Sequence, residues 1–175
     1  DDESPRPGFW HWGDLHAQKP HVDMLPDMRE MCLDEKYPTG YTYPDKTPFF
    51  VFSSGNSHTV MRHMKWLRDY QIDGVFVQRF INEYDDKTLF RFRDRVLENV
   101  KTGCGKYGRV YAVMYDGIGG RDSPEKIKAD WMHLVDDLAI LDNGRYLQHE
   151  RKPLVALWGY THYEDATLNQ LIELT

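Results

Sequence analysis

The sequence predicts an α/β fold of parallel strands with flanking helices. Three apolar runs carry that expectation, beginning at residues 74, 110 and 153: Gly74-Val75-Phe76-Val77-Gln78-Arg79, Val110-Tyr111-Ala112-Val113-Met114-Tyr115-Asp116 and Pro153-Leu154-Val155-Ala156-Leu157-Trp158-Gly159. Each is rich in Val, Leu or Phe without polar alternation, the pattern of strands buried on both faces inside a ring or layer of helices. The segments between them carry helical spacing, so the chain has the rhythm of repeated β-α units. Chemistry in such folds collects where strands end, which singles out Gln78, Arg79, Tyr115, Asp116 and Trp158.

Residues 1–8 hold three acids, two prolines and a glycine, the composition of a flexible N-terminal arm. The packed domain, residues 9–175, is expected to start at Phe9. From there to Pro48, five prolines and the Tyr-rich Tyr37–Tyr43 stretch interrupt every periodic pattern. That segment reads as a long decorated loop with one short helical turn over residues 26–31. Phe49-Phe50-Val51-Phe52 reads as a short strand. Asn56 or Ser57 can cap a helix whose inward stripe is Val60, Met64 and Leu67. A second helix is expected from Asp86 to Lys106, with Leu89, Phe92, Val96, Val100 and Cys104 inward, Arg91, Arg93, Arg95 and Glu98 solvated, and Gly105 and Gly108 at its end. Ser123-Pro124-Glu125 supplies a cap, a first-turn proline and an acid ahead of Ile127, Trp131, Leu134 and Leu138, a third helix. A fourth is expected to open near Asp165.

Composition narrows the function classes. With 22 basic and 28 acidic residues the net charge is −6, and no basic cluster exceeds Arg91-Phe92-Arg93 or Arg151-Lys152, so the footprint of a nucleic-acid binder is missing. No apolar run approaches the roughly 18–20 residues of a membrane span. The chain opens with neither Met nor a signal-peptide pattern and reads as a mature or internal segment. Cys32 and Cys104 lack metal-ligand spacing and read as free buried thiols or a single bridge. His11, His16 and His21 recur at an interval that no helix or strand places on one face, so no metal site is expected. There is no nucleophile elbow, phosphate loop or His-Glu-x-x-His, and Gly117-Ile118-Gly119-Gly120 lacks the context of a dinucleotide fingerprint. No cofactor is expected. Aromatic residues make up 14% of the chain. They suit a core, and equally a sugar-stacking surface. At 175 residues the chain is short of the roughly 250 of a closed eight-stranded β/α barrel, so half a barrel is what fits.

Several blocks then resemble the N-terminal half of glycoside hydrolase families 71 and 99, the latter containing the endo-α-mannosidases. They are Trp10-His11-Trp12-Gly13, residues 23–29, Tyr37-Pro38-Thr39-Gly40, Phe52-Ser53-Ser54, Thr59-Val60 with His63 and Trp66, residues 72–80, Ala112–Asp116 and Leu154–Gly159. The resemblance runs from Phe9 onward, and Asp73–Phe80 is its most specific piece. It implies part of a (β/α)8 TIM-type barrel whose strand ends and loops line a sugar-binding groove, with retaining hydrolysis of α-mannosidic or related linkages in the full-length form, and a secreted or lumenal setting. The family's catalytic carboxylates belong to later strands without counterpart in these residues, so the catalytic residues are left unassigned.

On the same reading His11, Trp12 and Asp14 sit on a loop at the groove, where an indole stacks on a sugar ring and Asp and His bond its hydroxyls. Gln78 and Arg79 end one strand; Arg79 either contacts substrate or serves as a buried ion-pair partner. Glu83 either pairs with Arg79, meets a sugar or lies in a solvated loop. Tyr115 and Asp116 end the next strand, ahead of glycines that allow a tight loop or close approach by a ligand. Trp158, with His162 beyond it, offers a stacking wall and polar rim. Two function classes fit: a carbohydrate-active hydrolase once a second barrel half is present, and a carbohydrate-binding or structural protein on the same scaffold whose open sheet edge drives self-association.

Overall fold

The computed structural model describes residues 26–117 and 124–160. The expected arm at residues 1–8, the candidates His11, Trp12, Asp14 and His162, and the expected helix from Asp165 lie outside them. In chain order the elements are a 3-10 turn (Leu33–Glu35), β1 (Tyr37–Thr42), β2 (Pro48–Val51), α1 (Ser57–Asp69), β3 (Gly74–Phe80), a second 3-10 turn (Ile81–Glu83), α2 (Lys87–Tyr107), β4 (Val110–Asp116), α3 (Pro124–Asp136), the two-residue strands β5 (Gln148–His149) and β6 (Lys152–Pro153), and β7 (Val155–Trp158).

β3, β4 and β7 form a parallel sheet in sequential order, with α2 between the first two and α3 between the last two in sequence. The fold is therefore α/β, a parallel sheet flanked by helices. Its register sets Gln78 beside Met114 and Ala156, Arg79 beside Tyr115 and Leu157, and Phe80 beside Asp116 and Trp158. The helices start and stop where their local chemistry dictates. The Asn56 carboxamide accepts from the His58 and Thr59 N–H groups at the head of α1, and the Asp86 carboxylate does the same for Thr88 and Leu89 at the head of α2. Gly108, at φ 66°, ends α2 in the left-handed conformation that glycine adopts without steric cost.

The Tyr37–Tyr43 stretch is not the loop expected of it. Most of it forms β1, antiparallel to β2, with the Thr39 hydroxyl donating to the Phe49 carbonyl and Tyr43 packed edge-on against the Phe49 ring. Tyr and Thr are strand formers, and the partner strand supplies hydrogen bonds that local pattern alone does not reveal. The turn expected over residues 26–31 reduces to a Met31 N–H to Met28 carbonyl bond, and the 3-10 turn follows it. Both cysteines are free; Cys104 is buried and Cys32 exposed. No helix among the described residues is long and apolar enough to cross a membrane.

The core lies between sheet and helices. Tyr111, Val113 and Tyr115 of β4 are fully buried there with Leu97, Val100 and Cys104 of α2 and Ile127 and Leu134 of α3. Because side chains alternate along a strand, the intervening positions face the other way, and Phe76 on that second face is 52% exposed. Two glycines permit close approach. A Cβ on Gly103 would lie 2.6 Å from Met64 Cγ, where α2 crosses α1, and one on Gly74 would lie 2.0 Å from the Val110 carbonyl oxygen. The Val110 oxygen belongs to backbone and cannot swing aside. Gly74→Ala should thus cost about 1–3 kcal/mol through a forced shift of β3 against β4, read as a lowered urea midpoint with unchanged slope.

Candidate functional site

The sequence-selected strand-end residues divide between the two faces of the sheet. On the face turned from the helices, the Gln78 side-chain amide donates to Asp116 Oδ2. Gln78 is exposed while Asp116 is 5% exposed, so the pair has one wet and one dry member. Trp158 is the register partner of Asp116 on the next strand and is 54% exposed. A carboxylate, a carboxamide and an indole thus share one end of the sheet. Gly117 follows directly: its N–H donates to the Trp158 carbonyl at 2.8 Å, and a Cβ there would fall 2.7 Å from the ring of Tyr160. The close approach that Gly117 permits is made by this buried tyrosine, which ties the end of β4 to the residues after β7.

Arg79 and Tyr115 point into the helix layer instead. Arg79 Nε donates to Asp130 Oδ2 at 2.8 Å, its Nη1 donates to Asp94 at 3.0 Å, and its guanidinium lies over the Phe90 ring. The Tyr115 hydroxyl donates to the same Asp130 oxygen at 2.8 Å. Burial, reinforced by the neighbouring Asp130 charge, pushes that phenol well above its ordinary pKa, so it stays a neutral donor. Of the two roles read for Arg79, this is the buried ion-pair partner. Glu83 binds neither Arg79 nor an open loop: it accepts from Arg93 Nε at 2.9 Å, and Arg93, expected on a solvated face, is largely covered.

Asp130, Asp94 and His133 escaped the sequence reading. Asp130 stands three residues after Ile127 and four before Leu134, inside the apolar stripe of α3. A charge in that register was the available signal.

A metal would have one place to go among the described residues: Cys32, Asp34 and Glu35, whose ligand atoms lie within 4.8 Å of one another. A guanidinium already fills it. Arg62 Nη2 sits 2.6 Å from Glu35 Oε2 and 3.3 Å from Cys32 Sγ, and Asp34 is taken by His58. Glu35 is buried, and Arg62 together with the Cys32 N–H holds its carboxyl at about 2 despite that burial. The donor set does not fit a cation in addition to Arg62.

No protein-family model matches the chain, and neither does any curated protein. Among solved structures it is similar to the GH99 endo-alpha-mannosidase from Bacteroides thetaiotaomicron. One structure, in complex with Bis-Tris propane, aligns at 17% identity and a TM-score of 0.44 over 70% of this chain and 32% of the other. A second aligns at 17% and 0.45 over 71% and 31%. The chain spans about a third of the length of these structures. The likeness is distant and fixes neither ligand nor reaction.

Two outcomes follow for the charge pairs. Asp130→Ala strands the Arg79 guanidinium and the Tyr115 hydroxyl in the core and should cost about 3–5 kcal/mol in urea unfolding. Glu35 is depressed in the folded state, so its contribution is present above the ordinary glutamate value of about 4.3 and fades as pH falls through about 2. Arg62→Leu should abolish that acid-side dependence and raise the Glu35 titration followed by carboxyl NMR.

Proposed function

We propose that the face carrying Gln78, Asp116 and Trp158 binds carbohydrate, as part of a glycoside-hydrolase-like protein acting on α-linked, mannose-type glycans in its full-length form. The observation that carries this reading is the Gln78–Asp116 pair beside an exposed indole at one end of a parallel sheet. A pyranose presents an apolar C–H face and a ring of hydroxyls. The indole suits the first, and a carboxylate held by a carboxamide suits the second. The resemblance of residues 72–80 and 112–116 to families 71 and 99 supports the same class, and the endo-alpha-mannosidase named above is the corresponding activity in another protein. A secreted or lumenal protein accords with such a substrate.

A second reading, glycan binding without hydrolysis, has its own support. Retaining hydrolysis uses two carboxyl groups about 5–5.5 Å apart, and Asp116 is the only acid in β3, β4 and β7. Cleavage would need a further carboxylate from elsewhere in the protein.

Binding is tested by calorimetry of the full-length protein with α-mannose oligosaccharides. Trp158→Ala and Asp116→Ala should each weaken binding about tenfold or more, the scale of a lost stacking surface or charged hydrogen bond. Unchanged affinity in both variants would remove this face from the binding site. Product analysis of the same mixtures separates cleavage from binding alone.

A further inference from the structure

His133 extends the polar chain that begins at Tyr115 and reaches from α3 to α2. From α3 its Nε2 meets Asp94 of α2 at 3.0 Å, and its Nδ1 meets Asp137, just past the end of α3, at 2.7 Å. Its ring lies 5.4 Å from that of Phe90. The second oxygen of the Asp94 carboxylate accepts from Arg79, which in turn binds Asp130. Among the described residues the charged groups around the imidazole are therefore Asp94 from α2, Asp137 just past the end of α3, one link further Asp130 from α3, and Arg79 from β3 behind Asp94. Both ring nitrogens face carboxylates. A neutral imidazole has one N–H and can donate to only one of them; an imidazolium donates to both.

We propose that His133 is a pH-responsive clasp whose protonated form ties α3 to α2 through Asp94 over the Arg79–Asp130 core, and whose deprotonation leaves one N–H for two carboxylates and so weakens that tie. Arg79 commits two of its donors to Asp130 and one to Asp94, and the imidazolium adds a second positive charge beside the Asp94 and Asp137 carboxylates. Burial alone would make the ring harder to protonate, but the bonds to Asp137 and Asp94 outweigh it and raise its pKa above the ordinary histidine value. A raised folded-state value means that the stabilisation is complete below the unfolded value of about 6.5 and disappears as pH climbs through the folded one. The clasp is closed in mildly acidic surroundings and open in alkaline ones.

The test is urea unfolding of the whole chain from about pH 6 to about pH 8.5, for the native protein and His133→Gln, whose amide keeps a hydrogen bond but carries no charge. The folding equilibrium constant of the native protein should fall roughly two- to fivefold more than that of the variant, the scale of a partly exposed ion pair. Identical pH profiles would overturn the proposal by assigning the dependence to other histidines. If His133→Gln does not fold, imidazole NMR of Asp137→Asn decides. A His133 titration above that of free histidine in the native protein, lowered in Asp137→Asn, supports the clasp. A His133 titration unmoved by Asp137→Asn refutes it.

Discussion

The buried contact between Arg79 and Asp130 is the constraint on which the arrangement of the strand ends depends. A guanidinium that is 3% exposed beside a carboxylate that is 0% exposed persists only if both are fully bonded, because either charge alone in the core would cost several kcal/mol. Asp130 meets the requirement by accepting from Arg79 of β3 and from the Tyr115 hydroxyl of β4 at once. Asp94 of α2 takes another guanidinium donor. One arginine thus joins a strand to the two helices that cover it.

The pleat carries that constraint across the sheet. With Arg79 and Tyr115 committed to the helix side, the strand period of two turns Gln78 and Asp116 to the opposite side. Parallel register then places them close enough to bond, and the next strand brings Trp158 level with Asp116. The candidate binding face is the reverse side of a buried ion pair. Removing the pair would disturb that face without touching any of its residues.

Elsewhere the packing leaves little slack. Gly74 lies against a backbone carbonyl and Gly103 against Met64, positions with no room for a methyl group unless a neighbour moves. The polar groups inside this frame are correspondingly specific in their partners. The Tyr111 hydroxyl donates to the Ile140 carbonyl at 2.5 Å, and the Tyr146 hydroxyl accepts from the Val113 N–H while donating to the Leu154 carbonyl. These bonds anchor the segment between α3 and β7 to the central strand, so that β7 arrives in register beside β4. A rigid frame of this kind holds side chains at strand ends in fixed positions.

Local chemistry determined much of this protein on its own. The three apolar runs became β3, β4 and β7, Asn56 and Gly108 bound helices where they were expected to, and Pro124 opens α3. Each of these signals acts over a few residues: a side chain capping its own helix, a glycine accepting a positive φ, a proline fitting a first turn. The strand ends were equally legible as the place where Gln78, Asp116 and Trp158 would lie. What the sequence left open depends on contacts between residues far apart in the chain. The Tyr-rich stretch became a strand only because β2 lies alongside it, and Glu83 was claimed by Arg93 ten residues on. Likewise Arg79 took the buried one of its two roles only because a helix fifty-one residues later carries Asp130 into the core. Pattern alone names residues that can form such pairs; the tertiary structure chooses among them, because a charge is buried only where its partner has been brought to meet it.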